Sequence, residues 1–288
     1  MVPAVFVAKA TTTSKFTTVR SLQSTVYGFN IDCKLWTFFF FTMQKLSNTF
    51  GNHSEDYWFP GRWIGGISLI LGPILLLIGI LLRVKFHFFF PQQLAAFQQN
   101  PTLVTASYSC FLAGNILLWP AIITLAKLIG QTNPIWAAWG SSMVIFGLFA
   151  RTFHAGVDHL SFQLVHSQNL ELAKKVVADS YGAFHIISAL SPLILFGWVV
   201  LAIGAYLSST LGLVRAIALG AMSALMMGVL KGSSWVSVMT ASGLCIALIP
   251  LGFKLLTEKP TPHFSTFLIR FLLMIGLAVF LFFFGRLG

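Results

Sequence analysis

The window from Arg151 to His185 gathers most of the residues able to do chemistry. It holds His154, Asp158, His159, His166, Glu171, Asp179 and His185 in a chain with only seven acids and seven histidines. On a helix, residues three, four and seven apart share a face. Arg151, His154 and Asp158 therefore form one polar stripe, and His159, Gln163 and His166 form a second about 100° round the axis. Phe153, Val157, Leu160 and Leu164 are expected to supply the apolar side.

Three readings fit these residues. In the first, His154 and Asp158, spaced i and i+4, offer two ligands to zinc or iron, and His185 or His159 completes the set. Arg151 would then orient Asp158 or an anionic substrate, and His159 would carry protons. In the second, a haem is held between His154 or His159 on one helix and His185 on the next, with Gly156 and Gly182 letting the flat macrocycle approach. Neither a His-Glu-x-x-His nor a His-x-x-x-His signature accompanies either reading.

The third reading is non-catalytic. Arg151, Lys174 and Lys175 anchor helix ends, and the histidines and Asp179 sit in a solvated projection where ionisable groups are inexpensive. Asp158 then pairs with Arg151 or His154 as a surface ion pair worth only tenths of a kcal/mol. The composition favours this reading, because the longest connection is where a membrane protein must place its polar residues.

The elements that position this window are membrane helices. Hydrophobic residues make up 57% of the chain and charged residues 9%, far from the roughly 25% charge of soluble domains. Mean hydropathy is +0.84. Runs of about 20 apolar residues match the hydrocarbon core, and lipid offers no partner to an open backbone. The expected fold is all-α, a polytopic transmembrane bundle of about seven spans, six in a core and one added at the C-terminus.

The spans read in order as residues 64–82, 103–126, 134–150, 183–206, 213–230, 235–251 and 267–284. Residues 91–102 read as a polar connection rich in Gln and Asn, and 231–234 as a tight hairpin turn. The third span continues without a breaker to Ser167, so it and the fourth are expected to project beyond the bilayer or enclose a polar interior. Asn115 is a lone amide within the second span, expected to hydrogen-bond a neighbouring helix. Arg215 and Arg270 lie near span ends, where snorkelling places their charge. The i+4 row Gly212, Ala216, Gly220 and Ala224 predicts close helix packing.

Residues 1–42, rich in Ser and Thr, read as a disordered or artefactual extension, with residues 43–288 as a single membrane domain. The net charge of +11 comes from basic residues scattered at span ends, which points to lipid headgroups and away from nucleic acid. Those residues balance across the bilayer, so they leave orientation undecided. Cys33, Cys110 and Cys245 are isolated and form no disulfide framework.

The segment Arg62-Trp63-Ile64-Gly65-Gly66, the Gln- and Asn-rich connection and the block Arg151-Thr152-Phe153-His154-Ala155-Gly156-Val157-Asp158-His159 resemble small bacterial multi-pass membrane proteins with no assigned activity. The resemblance covers roughly residues 60–255. It implies a bacterial cytoplasmic membrane and carries no mechanism. The leading expectation is a non-catalytic permeation, sensing or accessory component, with membrane-protein partners or a homo-oligomer. The alternative is a zinc-, iron- or haem-dependent enzyme.

Overall fold

The computed structural model describes residues 58–180, 186–225, 228–258 and 264–284. Among them all regular structure is helical: α1 (Gly61–Arg83), α2 (Phe90–Gln99), α3 (Pro101–Gly130), α4 (Pro134–Ser167), α5 (Leu170–Ser180), α6 (Ile186–Leu207), α7 (Leu213–Gly220), a 3-10 turn (Ala221–Ala224), α8 (Trp235–Thr257) and α9 (Phe264–Phe284). Three of these, α1, α3 and α8, are long and apolar enough to cross a membrane. The join between α5 and α6, which includes Gly182 and His185, lies outside the described residues, as does the segment 1–42.

Glycines set the helix spacing. Gly65, Gly72 and Gly79 recur every seven residues along α1 and face α3. A methyl at Gly79 would stand 2.6 Å from the Phe111 nitrogen and 2.7 Å from the Ser107 oxygen, while one at Gly114 would meet the α1 backbone at Leu76. The two helices thus touch backbone to backbone, and the Ser107 hydroxyl donates to the Gly79 carbonyl at 2.6 Å. Small residues allow this approach where no hydrophobic effect drives association. Gly140 and Gly147 on α4 do the same against Leu201 and Ile194 of α6. The fully buried Leu69, Leu76, Leu118, Ile122, Trp198 and Leu248 fill the resulting core.

The polar connection predicted at 91–102 is mostly the helix α2. Pro91 occupies its first turn, where a missing N–H costs nothing, and Leu94 and Phe97 turn one apolar face inward. Its glutamines hid that face in the sequence. Leu94 and Phe97 pack with Val104, Phe162, Val165, Ala173 and Val177 into a second apolar cluster. This cluster holds together α2, the C-terminal part of α4 and α5.

The fifth span does not form as one helix. Segment 213–224 provides eight α-helical residues and four of 3-10, a reach of roughly 20 Å against about 30 Å of hydrocarbon. Leu225 then turns extended, residues 228–234 form a coil and no helix, and α8 begins with a Ser234–Ser237 capping box. Gly228 and Leu230 sit at φ values of 145° and 51°, which no helix accommodates. The predicted small-residue row holds only in part: Ala216 is buried and Gly220 faces Ala202, but Gly212 meets nothing. Helix α9 makes no contact with the other described helices.

Candidate functional site

Leu225 and residues 228–233 line a cavity at the end of the bundle where α1 and α4 carry their charges. Its volume is about 40 Å³, and its walls include Arg83 from α1, Tyr108 and Phe111 from α3, Arg151, His154 and Asp158 from α4, and Leu225, Lys231 and Ser233 from the coil. The predicted stripe Arg151, His154 and Asp158 therefore converges on one enclosed space. The α4 helix runs unbroken to Ser167, as its sequence required.

Three charged groups here are deeply buried, Arg83 at 5%, Arg151 at 6% and Asp158 at 7% exposure, while Lys231 is half-buried. Their partners are mainly backbone and neutral groups. Arg83 donates from Nε to Ser233 Oγ at 2.8 Å, and its guanidinium lies 4.5 Å and 4.6 Å from the ring centres of Tyr108 and Phe111. Arg151 Nη2 donates to the Leu225 carbonyl at 3.4 Å, and Arg151 Nη1 has no hydrogen-bond partner. The Asp158 carboxylate accepts the Leu230 N–H at 2.5 Å. An ion pair joins Lys174 to Glu171 on the surface of α5, away from this cavity. The expected Asp158–Arg151 or Asp158–His154 pair is thus replaced by a bond to unwound backbone.

This replacement explains how the coil exists. Buried backbone that leaves a helix still needs partners for its N–H and C=O groups. Asp158 takes the Leu230 N–H, Arg151 takes the Leu225 carbonyl, and the Gly232 N–H bonds the Phe88 carbonyl at 2.8 Å. A Cβ at Gly232 would come within 2.7 Å of Phe88 Cα, so only glycine allows the coil to lie this close. The Tyr108 hydroxyl lies 3.3 Å from Gln93 Oε1, tying α2 into the same wall.

Asp158 stands two turns past Ala150, where the apolar stretch of α4 ends. Burial pushes its carboxyl up to about 7, against the lowering pull of the Leu230 N–H and of Arg83. Among the described lining residues, two guanidiniums and Lys231 stand beside one carboxylate. That charge set opposes a zinc or iron ion at His154 and Asp158, although both side chains reach the cavity. Among the described residues no three metal-ligating side chains group together.

The second predicted stripe goes elsewhere. His159, Gln163 and His166 are exposed on α4, Asp179 is exposed on α5, and His185 lies outside the described residues. The expected apolar side is also shifted, since Phe153 and Leu160 are exposed while Ser161, Phe162 and Val165 face inward. Asn115 lies one turn along α3 from Phe111, and its Nδ2 donates to the Leu148 carbonyl and to Thr152 Oγ1. Arg215 does not snorkel but donates to the Ala247 carbonyl at 2.7 Å. Arg83, Tyr108 and Lys231 escaped the sequence reading: an arginine closing a span looks like an anchor, and a lysine in a four-residue connection looks like a turn.

A second cavity, of about 210 Å³, opens at the opposite end among Thr132, Ser208, Thr210, Lys254 and Glu258, where α3, α6 and α8 finish. No family model, curated protein or solved structure matches the chain.

Proposed function

We propose that this chain is a non-catalytic multi-pass protein of the bacterial cytoplasmic membrane, a permeation or sensing component that takes a small polar ligand in the cavity under the coil 228–234. The full bundle in this reading has seven crossings, one of them interrupted at that coil, and its partners are lipid and other membrane proteins, including further copies of itself. The observation that carries the reading is the broken helix. A span interrupted between Ala224 and Trp235, with its backbone groups held by Asp158 and Arg151, wraps a charged cavity. Discontinuous membrane helices of this kind recur at ligand sites of transporters, where freed backbone and half-helix ends face the substrate. The orphaned Asn115 Oδ1 one turn deeper supports the reading, since it leaves a polar step between the cavity and the apolar core.

Cysteine accessibility tests it. In a background with Cys33, Cys110 and Cys245 replaced by serine, Ser233→Cys and Ala155→Cys are reacted in sealed vesicles with membrane-impermeant methanethiosulfonates. Labelling of Ser233→Cys from one side marks a sensing cavity, and labelling from both sides marks a permeation route. Protection of both positions from every reagent on either side overturns the reading.

A further inference from the structure

We propose that the cavity is a phosphate site, taking the oxyanion of a free phosphate or of a lipid headgroup between Arg83 and Arg151. The inference rests on the reading of the cavity as a ligand site and names the ligand's chemistry.

The first argument is charge. An isolated ion in a low-dielectric interior costs several kcal/mol even after relaxation, and proteins ordinarily pair it or neutralise it. Here two guanidiniums, each more than nine-tenths buried, share a cavity with one carboxylate, and that carboxylate is committed to the Leu230 N–H. Arg151 Nη1 lines the space with no partner, and Nη2 has only a long bond to Leu225. A bound anion supplies the missing compensation.

The second argument is geometry. Guanidinium forks match oxyanions with two parallel N–H bonds. Arg83 is fixed by Ser233 through Nε, and the Tyr108 and Phe111 rings lie against its guanidinium at the cavity wall. The third argument is the start of α8. Its N-terminal turn, at Ser233 and Ser237, forms part of the cavity wall, so the positive end of a 23-residue helix dipole adds to the same field. A volume of about 40 Å³ is a few times the ~10–15 Å³ that one water needs, which suits a compact anion and excludes a large organic one. The cavity sits where α1 ends at Arg83. That is headgroup depth if α1 spans, and both sources of phosphate are available there.

The test follows the thermal midpoint of delipidated protein in a nonionic detergent. One arm titrates inorganic phosphate against chloride at matched ionic strength. The other titrates a short-chain phosphatidylglycerol against the diacylglycerol of the same chains. A saturable rise with inorganic phosphate assigns a free anion, and a rise with the phospholipid alone assigns a headgroup. Arg151→Gln should weaken the response roughly 30-fold, the scale for removing one side of a buried charge contact. Arg151→Lys should restore part of it. Arg151→Gln also loses the bond to the Leu225 carbonyl, so each protein's response is read against its own phosphate-free midpoint. No response in either arm, or an equal response in Arg151→Gln, overturns the proposal. Should that occur while Ser233→Cys still labels, the phosphate assignment alone has failed. Protection of Ser233 from labelling removes the ligand cavity itself.

Discussion

The carboxylate of Asp158 on α4 holds the backbone N–H of Leu230, 72 residues away, at 2.5 Å. That bond fastens the break in a predicted span to the longest helix of the bundle. Leu230 itself is fully buried at a φ of 51°, a left-handed conformation that a leucine does not adopt unaided. The surrounding contacts must impose it, and Asp158 is the most direct of them.

Replacing Asp158 by alanine leaves the buried Leu230 N–H without a partner. The expected loss is about 1–3 kcal/mol of stability, read as a lower thermal midpoint in detergent. Asp158→Asn retains an acceptor oxygen and should lose less. Equal melting of the alanine variant and the parent would show that the bond does not secure the coil.

The same residue sets a pH dependence. Its carboxyl titrates near 3.8 when unfolded and near 7 in the fold. Below about pH 4 both states carry the proton, and the contribution to stability is fully present. As pH rises toward 7 the unfolded chain releases its proton while the folded one keeps it, so stability falls, and the loss is complete above that range. Between pH 5 and 8 the expected drop is on the order of 2 kcal/mol. Arg83, Arg151, His154, Tyr108 and Lys231 also face this cavity. The difference between the parent and Asp158→Asn across the pH series isolates the carboxyl, and a constant difference would contradict the assignment.

Two glycines should respond oppositely to the same methyl. At Gly79 the added atom meets Phe111 and Ser107 backbone below 3 Å, and Gly79→Ala should cost about 1–3 kcal/mol as α1 and α3 part. Arg83 lies one turn on, so the phosphate response should weaken with it. At Gly156 nothing lies within 4 Å, and Gly156→Ala should be neutral or stabilising by up to about 1 kcal/mol, because alanine favours the helix. Denaturation of the pair in one detergent checks both.

Metal analysis addresses the alternative chemistry. With two arginines and a lysine sharing the cavity of His154 and Asp158, the purified protein should carry no stoichiometric zinc or iron and show no Soret band. Elemental analysis and absorption spectra decide it. A metal or haem at one per chain that vanishes in His154→Ala would restore the enzyme reading.

The stripe Arg151, His154 and Asp158 was legible because spacing alone decides which residues of one helix share a face, and the absence of a breaker before Ser167 fixed the length of that helix. Arg83 was not legible. Nothing in its neighbourhood separates a guanidinium turned inward onto Tyr108 from one turned out to headgroups. Segment 213–230 misled for a related reason: apart from Arg215 and Ser223 its side chains are apolar or absent, and hydropathy is blind to whether the backbone between them is captured by another helix. Helix α2 was hidden by its glutamines, one of which, Gln93, is itself buried against the coil.

The glycine row on α1 has a mechanical corollary. Two rods touching main chain to main chain from Gly72 to Gly79 have no soft side-chain layer in which to slide there. They stand as a stiff palisade. Any rearrangement at this end of the bundle must therefore fall to the thinner slat beside them, residues 228–234, which Asp158, Phe88 and Arg83 hold through polar contacts.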